Sequence, residues 1–121
     1  MTGPACPILR SFDEDQARDF YIRYLGFEVS FEHRFEADLP LYMGLKRGDC
    51  LLHISEHHGD ASPGSSVRIE VPDIEAFHAE ITERGHPRLR PGITSMPWAR
   101  EVQVTDPFGN RLIFWQSVDE T

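Results

Sequence analysis

Hydrophobic and polar residues alternate with two different periods along this chain, and the periods separate helices from strands. Apolar residues three to four positions apart share one face of a helix, whereas alternate residues share one face of a strand. The pattern predicts a helix from Glu14 to Leu25, with Asp13 as N-cap and Gly26 just after its end. A second helix is predicted through Arg84, with Asp73 as its N-cap and Gly85 just after its end.

The remaining hydrophobic segments are short and are bounded by turn residues, which is typical of strands. Residues 87–96 are weakly extended, and residues 56–66 are rich in Gly, Ser, His and Pro, which predicts a linker. Strands are predicted at residues 7–12, 27–32, 39–45, 50–55 and 67–71.

Residues 97–116 predict a β-hairpin. Val102 and Val104 alternate with polar neighbours, and Leu112 and Phe114 share one face of the returning strand. The connecting Asp106-Pro107-Phe108-Gly109 has Asp first, Pro second and Gly fourth, the preference of a type I turn. On this local pattern alone, an ordinary core hairpin explains the segment.

The order of the elements repeats. Asp13 and Asp73 stand roughly 60 positions apart, as do Gly26 and Gly85. The repeat predicts two βαβββ modules within a single domain that spans residues 1–121. Module one covers about residues 6–56, the linker about 56–66, and module two about 66–117.

The charge balance limits the possible partners. The chain has 20 acidic and 12 basic residues, a formal net charge of −8, and no basic stripe. Nucleic acids and anionic membranes are therefore excluded as expected partners, whereas a cationic ligand is attracted. A chain of 121 residues buries only about two-thirds of its unfolded surface, so dimerisation helps to stabilise it.

The remaining composition predicts a cytoplasmic protein. Cys6 and Cys50 are the only cysteines, which is too few for a disulfide framework. The N-terminal residues lack the pattern of a signal peptide. No apolar stretch approaches the roughly 18 residues of a membrane helix.

The hairpin also resembles a known family. Its residues Pro97-Trp98-x-Arg100-Glu101, followed by Asp106-Pro107-x-Gly109-Asn110, are similar to the C-terminal hairpin of bleomycin resistance proteins. These belong to the vicinal-oxygen-chelate superfamily, with the glyoxalases and extradiol dioxygenases. The resemblance extends over roughly residues 7–116. It implies an α+β fold in which the two modules form a cupped mixed sheet with the helices on its convex face.

In such a fold, the helices cover only one face of the sheet, so the purely apolar strand positions are expected there. The polar and mixed positions are then expected on the concave face, where we predict that Arg10 and Arg68 pair with Glu70 and Glu101. The alternative to a binding surface is that the concave face packs in a dimer with its charges satisfied. The positions assigned to the concave face are Cys6, Ile8, Arg10, Leu51, His53, Ser55, Ser66, Arg68, Glu70, Glu101, Gln103, Ile113 and Trp115.

The resemblance to metal-dependent members, glyoxalase I above all, implies four ligand positions, which correspond here to Cys6, His53, Ser66 and Ile113. Only His53 is a good ligand, and Cys6 is a possible one. Such sites need about three protein ligands, so we expect no metal. We also expect no other cofactor and no catalytic residue. A His53 pair with Glu70 or Glu101 is the acid–base alternative.

The resemblance implies a dimer that holds drug molecules in crevices between its subunits, with aromatic walls and acidic residues. The predicted function is to bind and sequester a cationic, bleomycin-type glycopeptide antibiotic without modifying it. The alternatives are a metal-dependent lyase, thiol transferase or dioxygenase, and a binder of another small molecule. The predicted ligand-binding residues are Phe31, Phe35, Tyr42, His53, Arg68, Glu70, Trp98, Arg100, Glu101 and Trp115.

Overall fold

A computed structural model describes residues 2–34 and 36–118. Helix α1 begins with an α-helical turn, Glu14–Ala17, and continues as a π-helix, Arg18–Tyr24; helix α2 is Ile74–Arg84. The strands are β1 (Ile8–Arg10), β2 (Glu28–His33), β3 (Tyr42–Arg47), β4 (Cys50–Ser55), β5 (Ser66–Glu70), β6 (Thr94–Ser95), β7 (Ala99–Thr105) and β8 (Arg111–Ser117).

The strands form two four-stranded sheets, one in each half of the chain. Sheet 1 has the order β1-β4-β3-β2 and sheet 2 the order β5-β8-β7-β6. The parallel pairs are β1 with β4 and β5 with β8, and all other pairs are antiparallel. The predicted α+β class with two βαβββ modules is therefore confirmed, and each module supplies its own mixed sheet.

Helix α1 occupies the predicted segment but differs in its hydrogen bonding. The backbone N–H of Leu25 donates to the carbonyl of Phe20, five residues earlier, at 3.0 Å. In this wider helix Phe20, Tyr21 and Tyr24 are all buried. Hydrophobic periodicity does not distinguish the two helix types here, because the same residues face the core in both.

Strand β3 begins three residues later than predicted, at Tyr42 rather than Leu39. The N–H of Leu39 donates to the carbonyl of Glu36 in a turn, and the next residue, Pro40, has no N–H to give to a neighbouring strand. Local turn chemistry therefore overrides the apolar pattern at this point.

The helices and one face of each sheet enclose a common core. The helix residues Ile74, Phe77 and Ile81 are buried, and the Phe77 ring lies 4.2 Å from that of Phe114 on β8. The apolar strand positions expected to face the helices are buried, except that Val67 is half-buried. Neither helix of the described residues is long and apolar enough to cross a membrane.

The turn of the hairpin is the buried centre of a hydrogen-bond network. The N–H of Gly109 donates to the carbonyl of Asp106 at 3.2 Å, as predicted for this turn. The Asp106 carboxylate accepts from the Tyr21 hydroxyl at 2.6 Å and from the backbone N–H groups of Phe108 and Asn110. The Asn110 amide also donates to the carbonyl of Arg10 at 2.9 Å. The turn of module two is thus tied to the helix and the first strand of module one.

An ion cluster around Glu80 forms a second connection between the modules. Arg47 on β3 makes a two-pronged ion pair with this α2 carboxylate, at 2.7 and 2.9 Å. Arg84 pairs with it at 2.6 Å, and the two guanidiniums donate to carbonyls at the end of α1. A Cβ at Gly26 would stand 2.8 Å from the Arg84 guanidinium, so glycine leaves the space that this cluster occupies.

The Arg47 hydrogen bonds, opposed by burial, lower the pKa of Glu80 from its ordinary value of 4.5. The cluster therefore stabilises the fold above pH 4.5, and that contribution is lost as the pH falls through the lowered pKa. We expect Glu80→Gln to lower the free energy of unfolding by about 1 kcal/mol at neutral pH. The difference from wild type should shrink in urea titrations at decreasing pH. Glu83→Gln, on the exposed side of α2, is the control, and an equal loss in both variants would contradict this role of Glu80.

Candidate functional site

An aromatic cluster, consisting of Phe31, Tyr42 and His53, lies on three neighbouring strands of sheet 1. The Phe31 ring stacks at 6.1 Å and 18° on Tyr42 and meets the edge of His53 at 5.2 Å. The Tyr42 and His53 rings are also 5.2 Å apart. Phe31 remains 41% exposed, so the cluster presents an aromatic surface that is open to a ligand.

The strand register explains why these side chains meet. Gly44 on β3 is opposite Phe31 on one side and His53 on the other. A Cβ at Gly44 would stand 2.2 Å from the Phe31 ring, so the ring occupies the space that a side chain would take. Gly44 is thus a positioning residue that the predicted site missed. Its signal was a lone glycine within a strand, which often marks a close approach.

Tyr42 orients His53 through a hydrogen bond between its hydroxyl and Nδ1 of the imidazole, at 2.7 Å. Burial raises the pKa of Tyr42, with smaller contributions from the nearby Asp60 and Cys6. The hydroxyl therefore keeps its proton at neutral pH. Asp60 is held close by Ser55, whose hydroxyl donates to the Asp60 carboxylate at 2.6 Å. Ser55, which is expected on the open concave face, is instead fully buried.

A charged cluster, consisting of Arg68, Glu101 and Trp115, lies on sheet 2. The Arg68 guanidinium donates to the Glu101 carboxylate at 2.9 Å and lies 5.5 Å from the centre of the Trp115 ring. Glu70 and Glu101 flank Trp115 in the strand register. The cation–π and ion-pair contacts together fix a flat, polar surface of the kind that binds an aromatic or charged group.

The predicted pairing of Arg10 with a glutamate is wrong. Its guanidinium lies 4.7 Å from the centre of the Phe12 ring and donates to the carbonyl of Ser11. No carboxylate of residues 2–34 and 36–118 makes an ion pair with it. The reason is topological: Arg10 is on β1 of sheet 1, whereas Glu70 and Glu101 are on sheet 2.

The other predicted residues divide into three cases. Trp98 precedes β7 and is 61% exposed, so it is free to contact a ligand or another chain. Arg100 pairs with Glu75 at the start of α2, at 2.6 Å. Because neighbouring residues of a strand point to opposite faces, Arg100 is directed away from the cluster that contains Glu101. Phe35 lies outside the described residues.

The residues present do not fit a metal centre of the glyoxalase I type. Of the four implied positions, Ile113 has only carbon in its side chain and Ser66 has a hydroxyl, while Nδ1 of His53 is engaged by Tyr42. Cys6 precedes β1, and burial raises the pKa of its thiol, which disfavours the thiolate that binds metals. Among residues 2–34 and 36–118, no group of three or more His, Cys, Asp or Glu residues is placed to hold a metal ion.

Replacing Gly44 by alanine should displace the Phe31 ring from its contacts with Tyr42 and His53. Because the ring belongs to a half-exposed side chain that can rotate outward, stability should change by less than about 1 kcal/mol. NMR contacts between Phe31 and Tyr42 should weaken or vanish. Gly92→Ala is the control, since nothing lies within 4 Å of a Cβ there. Unchanged Phe31 contacts in Gly44→Ala would show that the glycine does not set the ring position.

Comparison with known proteins agrees with this architecture. Residues 3–121 match the family described as "Glyoxalase superfamily protein". No curated protein matches the chain. A bleomycin-binding protein in complex with bleomycin and a bleomycin resistance determinant encoded on transposon Tn5 are each 26% identical. Both matches cover 98% of this chain and 100% of the other, with TM-scores of 0.70 and 0.71.

TnmS3, an antibiotic binding protein from Streptomyces sp. CB03234, shares the fold at 21% identity and a TM-score of 0.73, with 97% of each chain covered. The match of residues 3–121 shows that the chain belongs to the glyoxalase superfamily. Within that superfamily, its structural relatives include proteins that bind bleomycin or confer resistance to it.

Proposed function

We propose that this protein binds and sequesters a bleomycin-type glycopeptide antibiotic without modifying it. The observation that carries the proposal is the open aromatic cluster, in which Phe31, Tyr42 and His53 form a preset surface for a flat heteroaromatic group. Stacking on such a surface contributes about 1–3 kcal/mol for each base-like ring. The formal net charge of −8 attracts the cationic part of the drug.

The similarity to two bleomycin-related proteins supports the same ligand, since both are matched along nearly the whole chain. A non-catalytic role is supported by a separate observation: the side chains at the positions of the glyoxalase I metal ligands do not fit a metal site in this chain. The free thiols of Cys6 and Cys50 suit the reducing cytoplasm, where we propose that the protein acts.

We further propose a homodimer in which a second copy closes the open site. Phe31 and Trp98 are 41% and 61% exposed in one chain, and aromatic residues are enriched at interfaces and binding sites. Each cluster alone covers only one side of a bound drug, so a crevice between two copies provides the second wall. Light scattering across the micromolar range tests this, and a mass that stays at one chain would contradict it.

Calorimetric titration with bleomycin, with and without copper, tests the proposed ligand. We expect saturable binding that weakens about tenfold or more in Phe31→Ala, because one stacking contact is lost. Phe12→Ala is the matched control: Phe12 is 58% exposed but lies beside Arg10 and Phe108, outside the aromatic cluster. Absence of saturable binding, or equal losses in the two variants, would reject the drug as ligand of this site.

A further inference from the structure

A separate cavity of about 710 Å³ lies beside the helices, away from the aromatic cluster. It is bounded by the end of α1, the C-terminal half of α2 and the loop that follows it. The residues that line it include Tyr24, His78, Ile81, His86, Leu89 and Arg90.

Tyr24 is the unusual group in this cavity. The residue is 1% exposed, and its ring packs against Phe20 and His86 at 5.9 and 5.3 Å. Within the described part of the chain, its hydroxyl has no hydrogen-bond partner. Every fully enclosed side-chain nitrogen or oxygen in that part of the chain does have one, so the hydroxyl keeps a small opening. Tyr24 is among the residues that line the cavity.

The charges around the cavity favour an anion. No carboxylate lines it among the described residues, although the chain as a whole is strongly acidic. Arg90 is held at its rim by hydrogen bonds from Nη1 to the carbonyls of His86 and Leu89, which leave Nη2 and Nε available. The Asp19 carboxylate, which lies 3.8 Å from Nε2 of His86, is paired with Arg23.

The remaining walls are apolar or are satisfied internally. Ile81 and Leu89 supply hydrocarbon surface, and the His78 imidazole bonds the carbonyl of Pro91 through Nε2 at 2.8 Å. A buried hydroxyl without a partner is costly unless a ligand or water completes it. We propose that this cavity is a second binding site, for a small carboxylate with an apolar body, whose carboxylate accepts from the Tyr24 hydroxyl and the Arg90 guanidinium.

Titration of the 121-residue chain with benzoate, followed by NMR at about pH 7.5, tests the proposal. We expect saturable shifts at Ile81, His86 and Leu89. Benzamide, which has the same shape without the charge, should bind about tenfold more weakly or worse. Shifts that concentrate instead at the aromatic cluster, or equal binding of benzamide and benzoate, would overturn the proposal.

Two variants locate the contacts. Tyr24→Phe keeps the ring and removes only the hydroxyl, and it should weaken benzoate binding about tenfold. Arg90→Gln should weaken it by a similar factor and decides the matter if Tyr24→Phe does not fold. Arg88→Gln removes an equal charge from the same loop at a residue that does not line the cavity, and should change affinity less than about twofold. Unaltered benzoate binding in Tyr24→Phe and Arg90→Gln would show that the carboxylate is held elsewhere.

Discussion

Replacing Asp106 by alanine is expected to lower the free energy of unfolding by about 3–5 kcal/mol, the largest stability effect we predict. The carboxylate is buried and accepts hydrogen bonds from the Tyr21 hydroxyl, from two backbone N–H groups and from the Asn110 amide. Without it, several buried donors lose their acceptor at once, and each costs about 1–3 kcal/mol. Urea titration followed by circular dichroism measures the loss.

Two controls show whether the loss comes from this network. Tyr21→Phe removes a single donor, so it should cost about 1–2 kcal/mol. Asp73→Ala removes the N-cap of α2, an exposed hydrogen bond to the N–H of Ala76, and should cost about 1 kcal/mol. If Asp106→Ala costs no more than Asp73→Ala, the turn does not hold the two modules together as described.

Replacing Trp98 by alanine is expected to weaken bleomycin binding roughly ten- to a hundredfold, the largest effect on affinity. This prediction rests on the proposed function. Trp98 is 61% exposed, so its ring has a free face on which a planar group can stack. Pro97 restricts the backbone immediately before it, and the carbonyl of Trp98 accepts from the N–H of Val118 at 3.2 Å. The indole therefore projects from a fixed backbone.

The same preparation decides between two roles of Trp98. If it contacts the drug, Trp98→Ala should keep the dimer mass of the wild type and lose only affinity. If it is packed at the core of a dimer interface, the variant should dissociate or aggregate, because truncating a packed tryptophan costs about 3–5 kcal/mol. Phe12→Ala, another exposed aromatic, controls for loss of apolar surface alone. A monomeric or insoluble Trp98→Ala would assign the ring to the interface.

Some site residues were predictable because strand alternation assigns them to a face. That rule applies to His53, Arg68, Glu101 and Trp115. The predicted Arg68–Glu101 pair is confirmed. The same alternation predicts that Arg100 and Glu101 lie on opposite faces of the sheet, since adjacent residues of a strand point in opposite directions. The family motif groups these two residues together, whereas the structure pairs Arg100 with Glu75 on α2.

The fold class was predictable from local patterns, because hydrophobic periods and turn residues act within a few positions of one another. Strand β4 and helix α2 have their predicted extents, and Asp73 caps α2 as expected. Which side chains meet, in contrast, depends on the packing and register of distant segments. Phe31, Gly44 and His53 come from three strands, and their contact depends on a register set across the sheet. The place of the Tyr24 hydroxyl beside the cavity likewise depends on how α1, α2 and the following loop pack, which no local pattern encodes.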